Sequence, residues 1–155
     1  MKKSICILSL ISFLSIANSA YAFDTKAKSA FLIDYDSGAE LVSKNADELM
    51  PPSSMVKLMT LAVLFDAIKA GELTMEDTMP VSANADYQNP TWYPASKICL
   101  IKGQNLRVSD AIQGLIVQSA GDASVVVAEK LAGSESAFTA MMQKKAREIG
   151  MPLSI

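Results

Sequence analysis

The chain has 155 residues, half of them hydrophobic, with 14 basic and 16 acidic side chains, no histidine and two cysteines. A formal charge of −2 spread over scattered lysines gives no support for nucleic-acid binding. Without histidine there is no Ser-His-Asp triad and no common zinc site, so serine chemistry here needs another base, of which lysine is the obvious one.

Met1-Lys2-Lys3 is a short basic start, and Ile5 to Ile16 is an apolar run broken only by serines, too short to cross a bilayer comfortably. Ala20-Tyr21-Ala22 has the small-x-small pattern of a signal-peptidase site. Residues 1–22 are therefore predicted to be an export signal cleaved after Ala22; a buried N-terminal helix or an uncleaved anchor is the alternative. Cys6 precedes the cleavage point, which argues against a lipoprotein signal. Residues 23–155 then form one modest domain, 133 residues with a charge of −4 once Lys2 and Lys3 are removed. Cys99 is its single cysteine, so no internal disulfide can form.

Lys28 to Tyr35 is an apolar run of strand length, Asp36-Ser37-Gly38 is turn chemistry, and Ala39 to Lys44 alternates around Leu41. Together they predict a β-hairpin. The pair Pro51-Pro52 ends what precedes it. From Ser54 to Ala70 the apolar positions Met55, Leu58, Met59, Ala62, Phe65 and Ile68 fall at helical spacing, with Gly71 as the stop. This helix is apolar on more than one stripe, which predicts a place at the centre of the domain. Thr74-Met75-Glu76-Asp77 reads as a turn and Pro80-Val81-Ser82 as a brief extended piece. Residues 82–105 show no regular pattern; their aromatics, Tyr87, Trp92 and Tyr93, either line a cleft or cover a loop. Val108-Ser109-Asp110 predicts a helix start, continued over Ala111 to Val117. Further helices are predicted over Ala123–Leu131 and, behind a Ser134 cap, from Glu135 to about Ile149.

Ser54 and Lys57 are three residues apart, so on a helix they lie on one face within mutual reach. A hydroxyl at the positive end of a helix, beside an amine able to lose its proton, is the layout of an activated nucleophile. An apolar helix would hold Lys57 partly desolvated and lower its pKa. Taken alone, Ser-x-x-Lys also fits a capping serine with a lysine on a solvated face. Ser119 adds a second hydroxyl in a tight loop between two predicted helices.

The stretches Ala30-Phe31-Leu32-Ile33-Asp34 with Ser37-Gly38, Pro52 to Thr60, Ser96-Lys97, Gly114 to Ser119, Asp122-Ala123-Ser124 and Ala132 to Phe138 resemble the serine D-alanyl-D-alanine carboxypeptidases. These are low-molecular-mass penicillin-binding proteins. The resemblance covers essentially all of 28–150. It implies an α/β fold, the α+β sandwich of the β-lactamase and penicillin-binding-protein type. This chain would hold its N-terminal hairpin and helical portion, with the C-terminal strands missing. It further implies Ser54 as nucleophile, Lys57 as its base and Ser119 as the first residue of the family's Ser-x-Asn motif, relaying a proton. The implied substrate is a peptidoglycan stem peptide ending in D-Ala-D-Ala, with β-lactams as inhibitors. No cofactor or metal is implied. The implied location is the periplasm or the outer face of the cytoplasmic membrane, with peripheral membrane association through a C-terminal segment absent from this sequence.

Two departures from the family pattern stand out. Gly121 occupies the place of the motif's asparagine, a substrate-binding position, and removes a side chain that would hydrogen-bond the lysine and the substrate amide. The family's Lys-Thr-Gly motif is absent. An inactive remnant or one half of a split gene is the alternative reading; a serine β-lactamase, which would need a separate deacylation base, is a further one.

Overall fold

The computed structural model describes residues 25–90 and 96–151; the expected export signal over 1–22, and Trp92 and Tyr93, lie outside them. The chain divides into a unit ending at Met50 and a larger unit beginning at Pro51.

In the first unit, β1 (Ala30–Ile33) pairs antiparallel with β2 (Glu40–Lys44), Leu32 opposite Val42, with an irregularity between Leu32 and Ile33. The predicted hairpin is present. Its turn closes because the Asp34 carboxylate accepts from Ser37 N (2.8 Å) and Ser37 Oγ (2.5 Å), while Asp34 N donates to Ala39 O (2.8 Å). The Ser37 hydroxyl, then the Ser37 N–H, hold the Asp34 carboxyl below its ordinary value. Phe31, Leu32 and Ile33 are all exposed, so apolar side chains stand on both faces of the ribbon.

The second unit begins with a 3₁₀ turn (Ser53–Met55) running directly into α1 (Val56–Lys69). It continues through β3 (Thr78–Pro80), β4 (Asn105–Arg107), α2 (Val108–Val117), α3 (Gly121–Ala132) and α4 (Glu135–Glu148). β3 and β4 pair antiparallel with Met79 opposite Leu106. This ribbon corrects the reading of 82–105 as irregular to its end and shifts the extended piece from 80–82 to 78–80. A three-residue strand carries too little alternation to be read locally. The turn at 74–77 forms as expected, with Thr74 N donating to Asp77 Oδ2 at 2.7 Å.

The core face of α1 also differs from expectation. The helix buries Thr60, Leu61, Val63, Leu64 and Ala67, whereas Leu58 is 69% and Phe65 46% exposed. Apolar residues surround this helix almost completely, so spacing alone does not select a stripe; the packing partners do. Those partners are α3 and α4. Val126, Val127 and Leu64 are fully buried, Phe138 nearly so, and they join Met79, Val108 and Ala123 in one cluster. Thr60 Oγ1 donates to Met142 Sδ (3.8 Å), and Asp66 pairs with Lys145 (2.6 Å), so α1 and α4 run in the same sense. α4 starts as predicted, with Ser134 Oγ accepting from Ala137 N at 3.2 Å.

Candidate active site

The proline pair sets the geometry at the start of α1. Pro52 sits at φ −75° before the 3₁₀ turn, and Met55 N closes the turn onto Pro52 O at 3.1 Å. Ser53 is left-handed at φ 49°, a conformation that costs a non-glycine residue roughly 1–2 kcal/mol. Ser54 follows, exposed. Helical geometry is α only from Val56, not from Ser54 as the spacing suggests, yet residues three apart share a face in both helix types. Ser54 and Lys57 therefore point from one face of the same helical start.

Lys57 is half-buried and lines a cavity of about 330 Å³ between α1, α3 and α4. Gly121, Ser124 and Val125 of α3 and Glu135, Phe138 and Met142 of α4 form much of the remaining wall. Ser54 and Ser119 are not part of that lining. Among the described residues, Lys57 takes part in none of the ion pairs, and Ser54 and Lys57 are not hydrogen-bonded to one another.

Ser119 lies in the three-residue break between α2 and α3, half-buried and left-handed at φ 54°. Gln118 N (3.2 Å) and Ala120 N (3.0 Å) both donate to Gly114 O, which folds the chain back sharply around it. Gly121 is the first residue of α3, two positions earlier than the spacing predicts, and its N–H donates to Ser96 O at 2.7 Å. Of the four expected site residues, the structure thus joins Lys57 and Gly121 in one cavity. Ser54 sits on the turn before Lys57, and Ser119 on the loop before Gly121.

Asp122 has a role that local reading of the sequence does not reveal. It is fully buried, and its carboxylate accepts from Ile98 N (3.1 and 3.2 Å to its two oxygens), Leu100 N (3.0 Å) and Ala123 N (2.9 Å). It pins the 96–100 strip against the first turn of α3, beside Ser119 and Gly121. An acid in the first turn after a glycine was the available signal, but its long-range partners, 22 and 24 residues away, carry no local pattern.

A hydroxyl at a positive helix terminus and an amine one turn further on are the parts that acyl transfer needs. Glu135 is the acid of the cavity wall; its Oε1 accepts from Asn84 Nδ2 at 2.9 Å. Among the described residues, no group of three or more His, Cys, Asp or Glu side chains is placed to hold a metal ion.

Comparison with known proteins adds the family context. The family model described as D-alanyl-D-alanine carboxypeptidase matches residues 16–152. D-alanyl-D-alanine carboxypeptidase DacF of Bacillus subtilis is 37% identical over 126 residues, which are 81% of this chain and 31% of that protein. The crystal structure of D-alanyl-D-alanine carboxypeptidase DacD from Francisella tularensis superposes with a TM-score of 0.76 at 31% identity, covering 84% of this chain and 30% of that one. Penicillin binding protein 5 from Haemophilus influenzae gives 0.75 at 31% identity, covering 82% and 36%. The chain spans about a third of the length of the curated relatives it matches. The four helices and two small ribbons are thus part of the α/β penicillin-binding-protein fold, as the resemblance implied.

Proposed function

This chain belongs to the D-alanyl-D-alanine carboxypeptidase family, and from that premise we propose that it is an exported serine-type enzyme acting on peptidoglycan stem peptides that end in D-Ala-D-Ala. The observation that carries the reading is Lys57, half-buried one residue inside α1 and three residues after an exposed serine at the positive end of that helix. Ser54 Oγ attacks the carbonyl joining the two terminal D-alanines while Lys57 Nζ takes the hydroxyl proton. The Ser119 hydroxyl relays that proton to the departing nitrogen, the peptide bond breaks and D-alanine leaves. Water then attacks the acyl-serine ester, releasing the shortened peptide and restoring the hydroxyl. The Ser54 N–H, at the start of the helix, supplies part of the oxyanion site. The name of the Haemophilus influenzae relative supports β-lactams as ligands of the same serine. Export rests on the pattern of residues 1–22, and no helix among the described residues is long and apolar enough to cross a membrane.

Gly121 favours a second reading, a catalytically silent protein, because a glycine offers neither the lysine nor the substrate a hydrogen bond. Incubating the purified protein with a fluorescent penicillin separates the two. Covalent label located on Ser54 by mass spectrometry, and absent in Ser54→Ala, supports the acyl-transfer reading. Rapid release of hydrolysed penicillin points to a lactamase instead. A folded protein that takes no label is the silent one.

A further inference from the structure

Gly114 lies within α2, buried and in ordinary helical backbone, where alanine is the better helix former. Contact explains the glycine. A Cβ at 114 would stand 3.1 Å from Ile98 Cδ1, 3.5 Å from Ile98 Cγ2 and 3.6 Å from Ala120 Cβ. Two carbons at 3.1 Å are inside their optimal separation of roughly 3.5–4.0 Å, so the Ile98 side chain rests on α2 only because position 114 is bare. On its other side Ile98 is tied through its N–H, which donates to both Asp122 oxygens in the first turn of α3. This residue thus touches both helices that the Ser119 turn connects. Gly114 also belongs to that turn, since its carbonyl accepts from Gln118 N and Ala120 N on either side of Ser119. Ser96 O, in the same strip as Ile98, takes the Gly121 N–H at the far end of the turn.

We infer that Ile98 is a positioning residue for Ser119: set between the bare backbone of Gly114 and the Asp122 carboxylate, it fixes where the turn carrying that serine leaves α2 and enters α3. The inference rests on the reading of Ser119 as the proton relay. A methyl at 114 requires Ile98 Cδ1 to retreat by roughly 0.4 Å to reach ordinary contact. The Ile98 amide is anchored on Asp122, so the retreat is shared between its half-buried side chain and the Gly114–Ala120 turn. A misplacement of about 1 Å costs on the order of a hundredfold in rate, so a few tenths correspond to roughly threefold to tenfold. Valine at 98 lacks Cδ1 and keeps Cγ2, which lies 3.5 Å from the added carbon, an ordinary contact.

The test is a double-mutant cycle over the wild type, Gly114→Ala, Ile98→Val and the two combined. Ser54 labelling by a fluorescent penicillin is timed at saturating concentration, and the Ser119 amide is followed by nitrogen-15 NMR in the same proteins. Gly114→Ala is expected to slow labelling about threefold to tenfold, while the final amount of label and the half-saturating concentration hold. It should also displace the Ser119 amide resonance. In the Ile98→Val background the same methyl should have almost no effect on either readout. An unchanged rate in Gly114→Ala overturns the inference, and so does a loss confined to the final amount of label, which marks a folding defect. An amide displacement of equal size in both backgrounds overturns it whether or not label is taken. If the displacement depends on Ile98 while even the wild type takes no label, the positioning stands and the acyl-transfer reading falls.

Discussion

Replacing Asp122 by asparagine tests how the loop beneath the site is held. The carboxylate serves three N–H donors, those of Ile98, Leu100 and Ala123, from a fully buried position. Asparagine keeps one acceptor oxygen and turns an NH₂ toward donors that the second oxygen had satisfied. If the amide oxygen keeps Ala123 N and Ile98 N, the NH₂ faces the buried Leu100 N–H, and a donor meets a donor. Stranding one buried donor costs about 1–3 kcal/mol. Losing the negative charge in the first turn of α3 adds about 0.3–1 kcal/mol. The sum, roughly 2–4 kcal/mol, is a large share of the 5–15 kcal/mol typical of a whole domain. Asp122→Ala strands all three donors and should cost more. Urea unfolding gives the stability, and amide hydrogen exchange gives the location. Leu100 N–H should lose protection in Asp122→Asn, and Ile98 N–H as well in Asp122→Ala, while Gly121 N–H, bonded to Ser96 O, serves as the neighbouring reference. A loss below about 1 kcal/mol in Asp122→Asn, with Leu100 N–H still protected, would show that the strip is held by something other than this carboxylate.

Other perturbations should separate structural from chemical roles. Leu64→Ala, at a fully buried position, should cost about 2–5 kcal/mol in urea unfolding, whereas Phe65→Ser next door should change stability by about 0.5 kcal/mol or less. Equal losses would mean that the exposed stripe of α1 is covered in solution. Ser119→Gly relaxes a left-handed residue at φ 54°, so stability should rise by about 0.5–1 kcal/mol while penicillin labelling drops; higher stability with unchanged labelling removes Ser119 from the chemistry. Gly121→Asn supplies a carboxamide in the cavity beside Lys57 and should speed Ser54 labelling on the order of tenfold or more, a gain that stopped-flow fluorescence would register. Finally, the Lys102 and Gln88 N–H groups hold the Asp86 carboxyl low, and the Thr74 N–H does so for Asp77. Groups with depressed values stabilise the fold above the ordinary carboxylate value of 3.8, and that contribution is lost as pH falls through the folded-state values below it. Thermal unfolding followed downward from pH 5 should show this loss, and less of it in Asp86→Asn.

Legibility in this sequence follows the range of the interactions involved. The hairpin at 30–44, the α4 cap at Ser134 and the helix over 108–117 are set by neighbours within a few residues, and turn and cap chemistry reveals them. Three features escaped for one reason, that distant partners decide them. β4 exists because β3, some 27 residues earlier, offers an edge at Met79. The buried face of α1 is chosen by α3 and α4 from a helix apolar on nearly every side. α3 begins at Gly121 because Ser96 O and Asp122 provide its first turn with partners from across the chain.

The same division runs through the site. Ser54 and Lys57 were legible because one helical turn relates them, and no tertiary contact is needed to put them on one face. Ser119 was legible as a loop serine, but its distance from the cavity wall depends on the left-handed turn that Gly114 O closes through Gln118 N and Ala120 N. Ser124 was hidden because nothing in a run such as Asp122-Ala123-Ser124 says which helix will face it. Only the packing of α1 against α3 brings it to the cavity that Lys57 also lines. The glycine at 121 leaves the cavity wall without the hydrogen-bonding side chain that the family resemblance implies there. Which side chains stand around Lys57 is therefore set by how α3 and α4 pack on α1, and the spacing from Ser54 to Lys57 carries none of that.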